Sequence, residues 1–389
     1  MEIKLIKSTF IDEELAKNEL AKFILSSERL SMSSECEKFE NSFSNYHGLK
    51  HGCLVNSGSS ANLLLIQALI NLKKLKKGDF VGVSALTWST NVMPLIQLGL
   101  KPIPIDIKLE NLNLDINSLK SIYREFNLKC LFLTNLLGFC SKLDDVVDFC
   151  NSNKIILIED NCESLGTRYQ AKLLGTFGIA STCSFFVGHH LSTIEGGIVI
   201  TDDEELNDAL IVARAHGWSR NLSSEKAESL KVKFNTDDFY NKYTFYELGF
   251  NLRPTEITGF LGNHQINYLD YIIEKRESNF KIFNSSASKN KELIKLEVSH
   301  IDTISNFAFP LVFKEKSSYI KYREKFKKAN VEIRPIVSGN ISDQPFFKKY
   351  SSINKNLKNA IIAHQTGFYF PNNPELSNEE IEYLKNLLK

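Results

Sequence analysis

Six short apolar runs constrain this chain more than any other feature: Phe80–Val83, Ile103–Ile105, Cys130–Thr134, Ile155–Ile158, Ser184–Val187 and Ile198–Thr201. Each is of strand length and rich in β-branched or aromatic side chains, and helical stretches separate several of them. That alternation predicts an α/β domain on a mostly parallel sheet. Residues 11–25 read as an amphipathic helix, and Ala61–Leu72 as a buried one entered from the turn Ser57-Gly58-Ser59-Ser60. From about 219 to 243 the chain turns polar and charged, which predicts a surface excursion. Beyond it, Ile257–Phe283 reads as helix, Phe307–Phe313 as strand, Tyr319–Asn330 as helix, Val331–Pro335 as strand and Asn378–Leu388 as a closing helix. The expected division is a large α/β domain over 1–250, with an N-terminal helical segment, and a small α+β domain over 251–389.

Charge excludes whole classes of partner. The chain's 47 Lys+Arg balance 46 Asp+Glu, and a net charge of +1 supplies no field to draw in nucleic acid or anionic lipid. A small-molecule substrate is therefore expected, with neither nucleic acid nor membrane as partner. Three windows without charge, 51–72, 80–100 and 173–194, are interrupted by Ser, Thr, Asn or Gly. A spanning helix needs roughly 20 predominantly apolar residues, so these windows read as buried interior. Seven cysteines, odd in number and widely spaced, and an N-terminus without a signal-peptide pattern point to a reduced, cytoplasmic protein.

Several residues can carry chemistry. Gly58 and Ser59 stand at a helix start, where backbone amides favour an anion, although taken alone an ordinary N-cap is the simpler reading. Asp160 follows the run Ile155–Ile158, and Glu163 lies three residues on; carboxylates at the end of a parallel strand sit where α/β folds bind ligands, or else cap the next helix. Trp88 offers a flat face for an aromatic ligand or a packed core ring. His189 and His190 form an imidazole pair just after Ser184, one of them a candidate general base and the other a structural histidine. No Cys or acidic residue near the pair has zinc-ligand spacing, so no metal site is expected.

In their order these pieces resemble the sugar aminotransferase family of fold-type-I pyridoxal-phosphate (PLP) enzymes. The resemblance spans nearly the whole chain and rests on Glu159–Ser164, His189-His190 with Glu195-Gly196-Gly197, Arg214–Asn221, Asn251–Pro254 and Arg334–Asn340. It implies an aspartate-aminotransferase-like large domain and a homodimer with shared sites. In that family the stretch Ser184–Gly197 carries the lysine that forms the Schiff base, and His189 takes its place here. The exchange is similar to that of a small dehydratase branch acting on nucleotide-linked 4-keto-6-deoxy sugars, GDP-linked ones favoured, with L-glutamate as amino donor and the cofactor passing between its PLP and pyridoxamine forms. Carried over residue by residue, the resemblance implies that Gly58, Ser59, Ser184 and a neighbouring subunit's Asn251 hold the cofactor phosphate. Trp88 would stack on the ring, Asp160 pair with its nitrogen, and Glu163 lie nearby. For the sugar nucleotide it points to Glu28, Arg29, Leu30 and Ser31, to His216 and Arg220, and to Glu332 and Arg334.

Histidine can move a proton but has no primary amine with which to form the Schiff base. The chain has no lysine between Lys172 and Lys226. A related branch acting on CDP sugars uses an iron–sulfur cluster held by cysteines downstream of the histidine; none follows Cys183, so no cluster is expected. Two alternatives stay open on sequence: an aminotransferase using a displaced lysine, and a catalytically silent protein on the same fold.

Overall fold

The computed structural model describes residues 2–353 and 355–389. Before the first strand come helices α1 (Glu13–Ser26) and α2 (Ser34–Tyr46). Strand β1 (His51–Val55) leads into helix α3 (Gly58–Asn71), followed by β2 (Phe80–Ser84), β3 (Lys101–Ile105), β4 (Cys130–Thr134) and β5 (Ile156–Asp160). A hairpin of β6 (Arg168–Tyr169) and β7 (Lys172–Leu173) then precedes β8 (Ala180–Ser184) and β9 (Gly197–Thr201). Seven of these strands form one sheet in the order β1-β9-β8-β5-β4-β2-β3. The five from β8 to β3 run parallel, and β9 is antiparallel to both its neighbours.

The pattern of burial explains why these runs lack the polar alternation of a half-exposed strand. On β4, Cys130 and Phe132 enter one apolar cluster with α3, while Leu131 and Leu133 enter another on the opposite face. A strand covered on both faces reads as continuously apolar. Helix α3 is apolar nearly all round and buries Leu64, Leu65, Ile66 and Leu69, as a helix wedged inside a core must. Its start is set by Ser57, whose side chain accepts from the Ser60 amide at 3.1 Å.

A second sheet, in the order β10 (Ala308–Val312), β12 (Gly367–Pro371), β11 (Arg334–Pro335), forms the smaller unit with helices Lys316–Lys328 and Asn378–Leu387. Only Arg334 and Pro335 of the expected strand 331–335 pair there; Val331 instead bridges Ile3 of the N-terminal segment. Helix Glu256–Gln265 packs on α2, where Glu256 accepts from the amides of Ser33, Glu35 and Cys36 at 2.6, 2.9 and 3.2 Å. It lies against the N-terminal helices, although sequence alone opens the second domain at 251. The excursion at 219–243 holds two exposed helices, Ser224–Lys233 and Asp238–Asn241. Among the described residues no helix is long and apolar enough to cross a membrane.

One buried group gives the fold a pH signature. His47 ends α2, with Nδ1 3.0 Å from the Phe43 carbonyl, and burial pushes its imidazole from 6.5 down to about 4. The folded chain thus binds this proton less readily than the unfolded one. Stability is fully present above about pH 6.5 and is lost as pH falls toward 4, by about 3 kcal/mol for this group. Thermal melts of wild type and His47→Leu should therefore converge, or cross in favour of the variant, between pH 7 and pH 4.5; a constant gap would refute the assignment.

Candidate active site

The carboxyl ends of β4, β5 and β8 open on a cavity of about 310 Å³ between the two sheets. Gly58, Ser59, Trp88, Asp160, Glu163, Ser184, His189 and Arg334 all line it. Close packing dictates the glycines at its floor. A Cβ on Gly58 would stand 2.5 Å from the Cβ of Ser184, and one on Gly197 would stand 2.5 Å from the Gly58 amide nitrogen. The N-terminus of α3 is thereby pressed against β8 and β9 with its amides facing the cavity, an arrangement that attracts an anion.

Asp160 is the last residue of β5 and is buried. Its Oδ1 accepts from the Cys162 amide at 2.9 Å, and its Oδ2 from Asn62 Nδ2 at 3.1 Å and Asn91 Nδ2 at 2.6 Å. Asn62 is itself set by Thr182, whose hydroxyl donates to Asn62 Oδ1 at 2.7 Å. All these donors are neutral, and among the described residues no cation lies within 4.0 Å of the carboxylate. Trp88 lies 56% exposed on the cavity rim and is not a packed core ring. Glu163 accepts from the Leu137 amide at 3.1 Å, and burial lifts its carboxyl to about 7, with the Asp160 charge adding to the rise.

The strand expected over 184–187 ends at Ser184, because the chain turns there into the loop joining antiparallel β8 and β9. Phe185 anchors the loop, fully buried with its ring 5.0 Å from those of Phe39 and Phe43. At its tip the His189 amide donates to the Phe186 carbonyl at 2.8 Å. The His189 ring packs between Phe186 and Phe307, with centroids at 5.9 and 5.5 Å. Burial pushes its imidazole down to about 4, against the pull of the Asp160 carboxylate, so the ring is neutral at pH 7. Its Nδ1 is buried without a hydrogen-bond partner, and the residue lines the cavity. His190 is structural: its Nε2 lies 2.9 Å from the Ser305 carbonyl, and burial, reinforced by the Arg276 charge, holds its imidazole well below the ordinary value.

Other candidates lie elsewhere. Glu28, Arg29, Leu30, Ser31, His216, Arg220 and Asn251 are all exposed and none lines this chain's cavity. They share one ledge, in which Ser31 bridges Thr255 and Ala215 bridges Asn251. There the Arg220 guanidinium sits 4.0 Å from the Trp218 ring centroid and donates to the Lys242 carbonyl. Glu332 also stays outside the cavity and pairs with Arg334 at 2.7 Å. Sequence reading missed Asn62, Asn91, Leu5, Ile6, Phe307 and Tyr369, all of which line the cavity. Only Asn62 left a signal, as a lone amide inside the apolar run Ala61–Ile66.

Residues 11–389 match the model of the DegT/DnrJ/EryC1/StrS aminotransferase family. The chain belongs to that family. Among family members named as GDP-4-keto-6-deoxy-D-mannose 3-dehydratase, one from Escherichia coli O55:H7 is 37% identical over 373 residues, covering 94% of this chain and 95% of its own. Another, from Yersinia pseudotuberculosis, is 36% identical over 392 residues, covering 99% and 98%. A crystal structure of GDP-4-keto-6-deoxymannose-3-dehydratase with a trapped PLP-glutamate geminal diamine superposes with a TM-score of 0.91 at 34% identity, covering all of both chains. Within this family frame the seven-stranded sheet is the large-domain sheet of the PLP-dependent aminotransferase fold.

Proposed function

We infer that the chain catalyses the PLP- and glutamate-dependent 3-dehydration of GDP-4-keto-6-deoxy-D-mannose. The products are the 4-keto-3,6-dideoxy sugar, water, 2-oxoglutarate and ammonia. The observation that carries this reading is His189 on a cavity whose wall contains no lysine among the described residues. The likeness to the two 3-dehydratases supports the choice of a GDP-linked substrate.

The residues present fit PLP. The start of α3 with Gly58, Ser59 and Ser184 offers a phosphate seat. Trp88 stands exposed on the cavity rim, available to stack on the ring, and the buried Asp160 carboxylate, surrounded by neutral donors, suits a protonated ring nitrogen. When bound, PLP supplies an electron sink conjugated to the carbon that loses its proton. Asp160 maintains that sink by its negative charge. His189, neutral at pH 7, accepts the proton from the glutamate α-carbon at Nε2, and the same nitrogen acts again when the C3 hydroxyl is expelled. Phe186 and Phe307 exclude water from one side of the base. Glu163, its carboxyl raised by burial and by the Asp160 charge, would serve as a cofactor contact.

The exposed ledge supports a homodimer in which Asn251, Glu28–Ser31, His216 and Arg220 serve the neighbouring chain's cavity. Tyr243, Phe245 and Leu248 are 70%, 55% and 72% exposed near it, apolar area suited to burial between two chains. Seven free cysteines and balanced charge support a cytoplasmic enzyme without nucleic-acid or membrane partners. Its product class suits colitose synthesis for a lipopolysaccharide O-antigen or capsule.

Two measurements test the reading. Incubation with PLP, glutamate and GDP-4-keto-6-deoxy-D-mannose should yield a sugar nucleotide that has lost one oxygen and gained no nitrogen by mass spectrometry. A 4-amino product would make the chain an aminotransferase, and glutamate that yields no 2-oxoglutarate would make it a silent scaffold. Borohydride treatment of the PLP-loaded protein, followed by acid denaturation, should leave every lysine unmodified. Cofactor fixed to Lys172 or any other lysine would reverse the assignment of His189.

A further inference from the structure

Residues 305–307, which lead into β10, are held at each step by groups outside their own strand. The Ser305 carbonyl accepts from His190 Nε2 at 2.9 Å, and the Ser305 amide donates to Thr167 Oγ1 at 3.1 Å. Asn306 Nδ2 donates to the Leu137 carbonyl at 2.6 Å, and the Asn306 carbonyl accepts from Asn372 Nδ2 at 3.0 Å. Arg276, on helix Leu269–Ala287, closes the knot. Its Nη1 donates to the carbonyls of Phe307 at 2.7 Å, Asn372 at 2.6 Å and Asn306 at 3.4 Å. In return the Arg276 carbonyl accepts from Asn372 Nδ2 at 3.0 Å.

This guanidinium is 3% exposed, its Nε has no hydrogen-bond partner, and it pairs with no carboxylate among the described residues. A buried cation is costly unless it is paired, and a neutral amide could staple the same carbonyls at less cost. What only the cation adds is a positive charge near the two imidazoles, which opposes protonation of both His189 and His190.

Phe307 is what the knot delivers to the cavity. Its ring lines the wall and meets His189 edge-on, with centroids 5.5 Å apart, and meets Tyr369 at 6.1 Å. Because Arg276 holds the Phe307 carbonyl, the position of this ring depends on a side chain that stays off the cavity. His189 has few other restraints: its Nδ1 has no partner, and Phe186 of its own loop is the second ring against it.

We propose that Arg276 is a positioning residue for His189: by clamping the carbonyls of Asn306, Phe307 and Asn372 it fixes the Phe307 ring against the imidazole, and so sets the orientation and dryness of that imidazole. The catalytic use of His189 rests on the proposed function; the clamp does not. Asp160, Cys162, Glu163, Glu195, Arg334 and Tyr369 share the cavity with His189, and of these Asp160 pulls it toward protonation. The variants below leave all six unchanged.

The test titrates His189 by NMR in the PLP-loaded full chain carrying isotope-labelled histidine, its signal identified by its absence from His189→Asn. Single-turnover release of 2-oxoglutarate is followed over the same pH range. Wild type should keep a neutral imidazole down to about pH 5. Arg276→Met removes charge and clamp together; it should raise the titration midpoint by about one pH unit and slow release roughly tenfold, with the half-saturating glutamate concentration changed far less. Arg276→Lys keeps the charge without the fork, and should hold the midpoint near wild type while losing rate. Phe307→Ala leaves the guanidinium in place; it should slow release as much as Arg276→Met and, by admitting water, raise the midpoint too. The Arg276→Lys/Phe307→Ala double variant should be no slower than Phe307→Ala. If Arg276→Met does not fold, the other three variants decide. A wild-type midpoint or rate in Phe307→Ala, rate losses that add in the double variant, or Arg276 variants that melt lower with rate and midpoint unchanged would each overturn the proposal. A wild type that releases no 2-oxoglutarate, with the titration pattern intact, would overturn only the functional reading.

Discussion

Replacing His189 with asparagine should slow both the release of 2-oxoglutarate from glutamate and the loss of the sugar's C3 oxygen by on the order of 10²–10⁴-fold, the usual contribution of a positioned acid–base group. Both steps should fall together, because the proposed function gives both to one imidazole. The wild-type Nδ1 is buried without a partner, so the fold loses chiefly ring packing against Phe186 and Phe307. The variant should therefore melt near the wild-type temperature and still bind PLP. The sign of the pH effect follows from the imidazole's depression to about 4: the base form persists far below 6.5, and activity is lost only as pH falls toward 4. Single-turnover release of 2-oxoglutarate checks this, and a variant within a few-fold of wild type would move the base elsewhere.

The second large effect is expected at Asp160→Asn. The carboxylate accepts from Cys162, Asn62 and Asn91, and an asparagine there would turn an amide NH₂ toward at least one of these donors. Hydrogen bonds to a charged group contribute about 1.5–3 kcal/mol each, so losing the charge removes support for the loop after β5 and, on the proposed function, for the ring nitrogen of the cofactor. A fall of about 10²-fold or more in the rate of the glutamate half-reaction is expected, with weaker PLP binding, read by single-turnover kinetics and by absorbance titration. Asn91→Ala should weaken PLP less, since it removes one donor and leaves the charge. Wild-type rates in Asp160→Asn would show that the carboxylate serves the fold alone.

Much of the architecture was legible because burial on both faces of a parallel sheet writes itself into short apolar runs such as Cys130–Thr134, which forms β4 without change of bounds. Helix α3 was legible for a similar reason, having a polar cap followed by an apolar run. The run Ser184–Val187 was apolar but only its first residue is strand, because Phe185 is buried in the loop by aromatic contacts from α2 that no local pattern announces. The expected strand at 331–335 shrank to two residues because Val331 found its partner in Ile3, far away in the chain.

The site divides along the same line. Sequence by itself determined the chemistry on offer: an imidazole pair just after one central strand, an acid at the end of another, and a small-residue helix start. Identity of side chains suffices for that, since functional groups and the conformations that caps and turns adopt are local properties. Only the tertiary structure decided that Asn62, Asn91 and Asp160 form one cluster, that His189 is neutral, that Arg334 reaches the cavity while Glu332 accepts from the Leu5 amide, and that His216, Arg220 and Asn251 lie outside its lining. Periodicity acts over a few residues, whereas the Leu5–Glu332 hydrogen bond joins positions 327 apart, and desolvation depends on every chain segment that closes around a group.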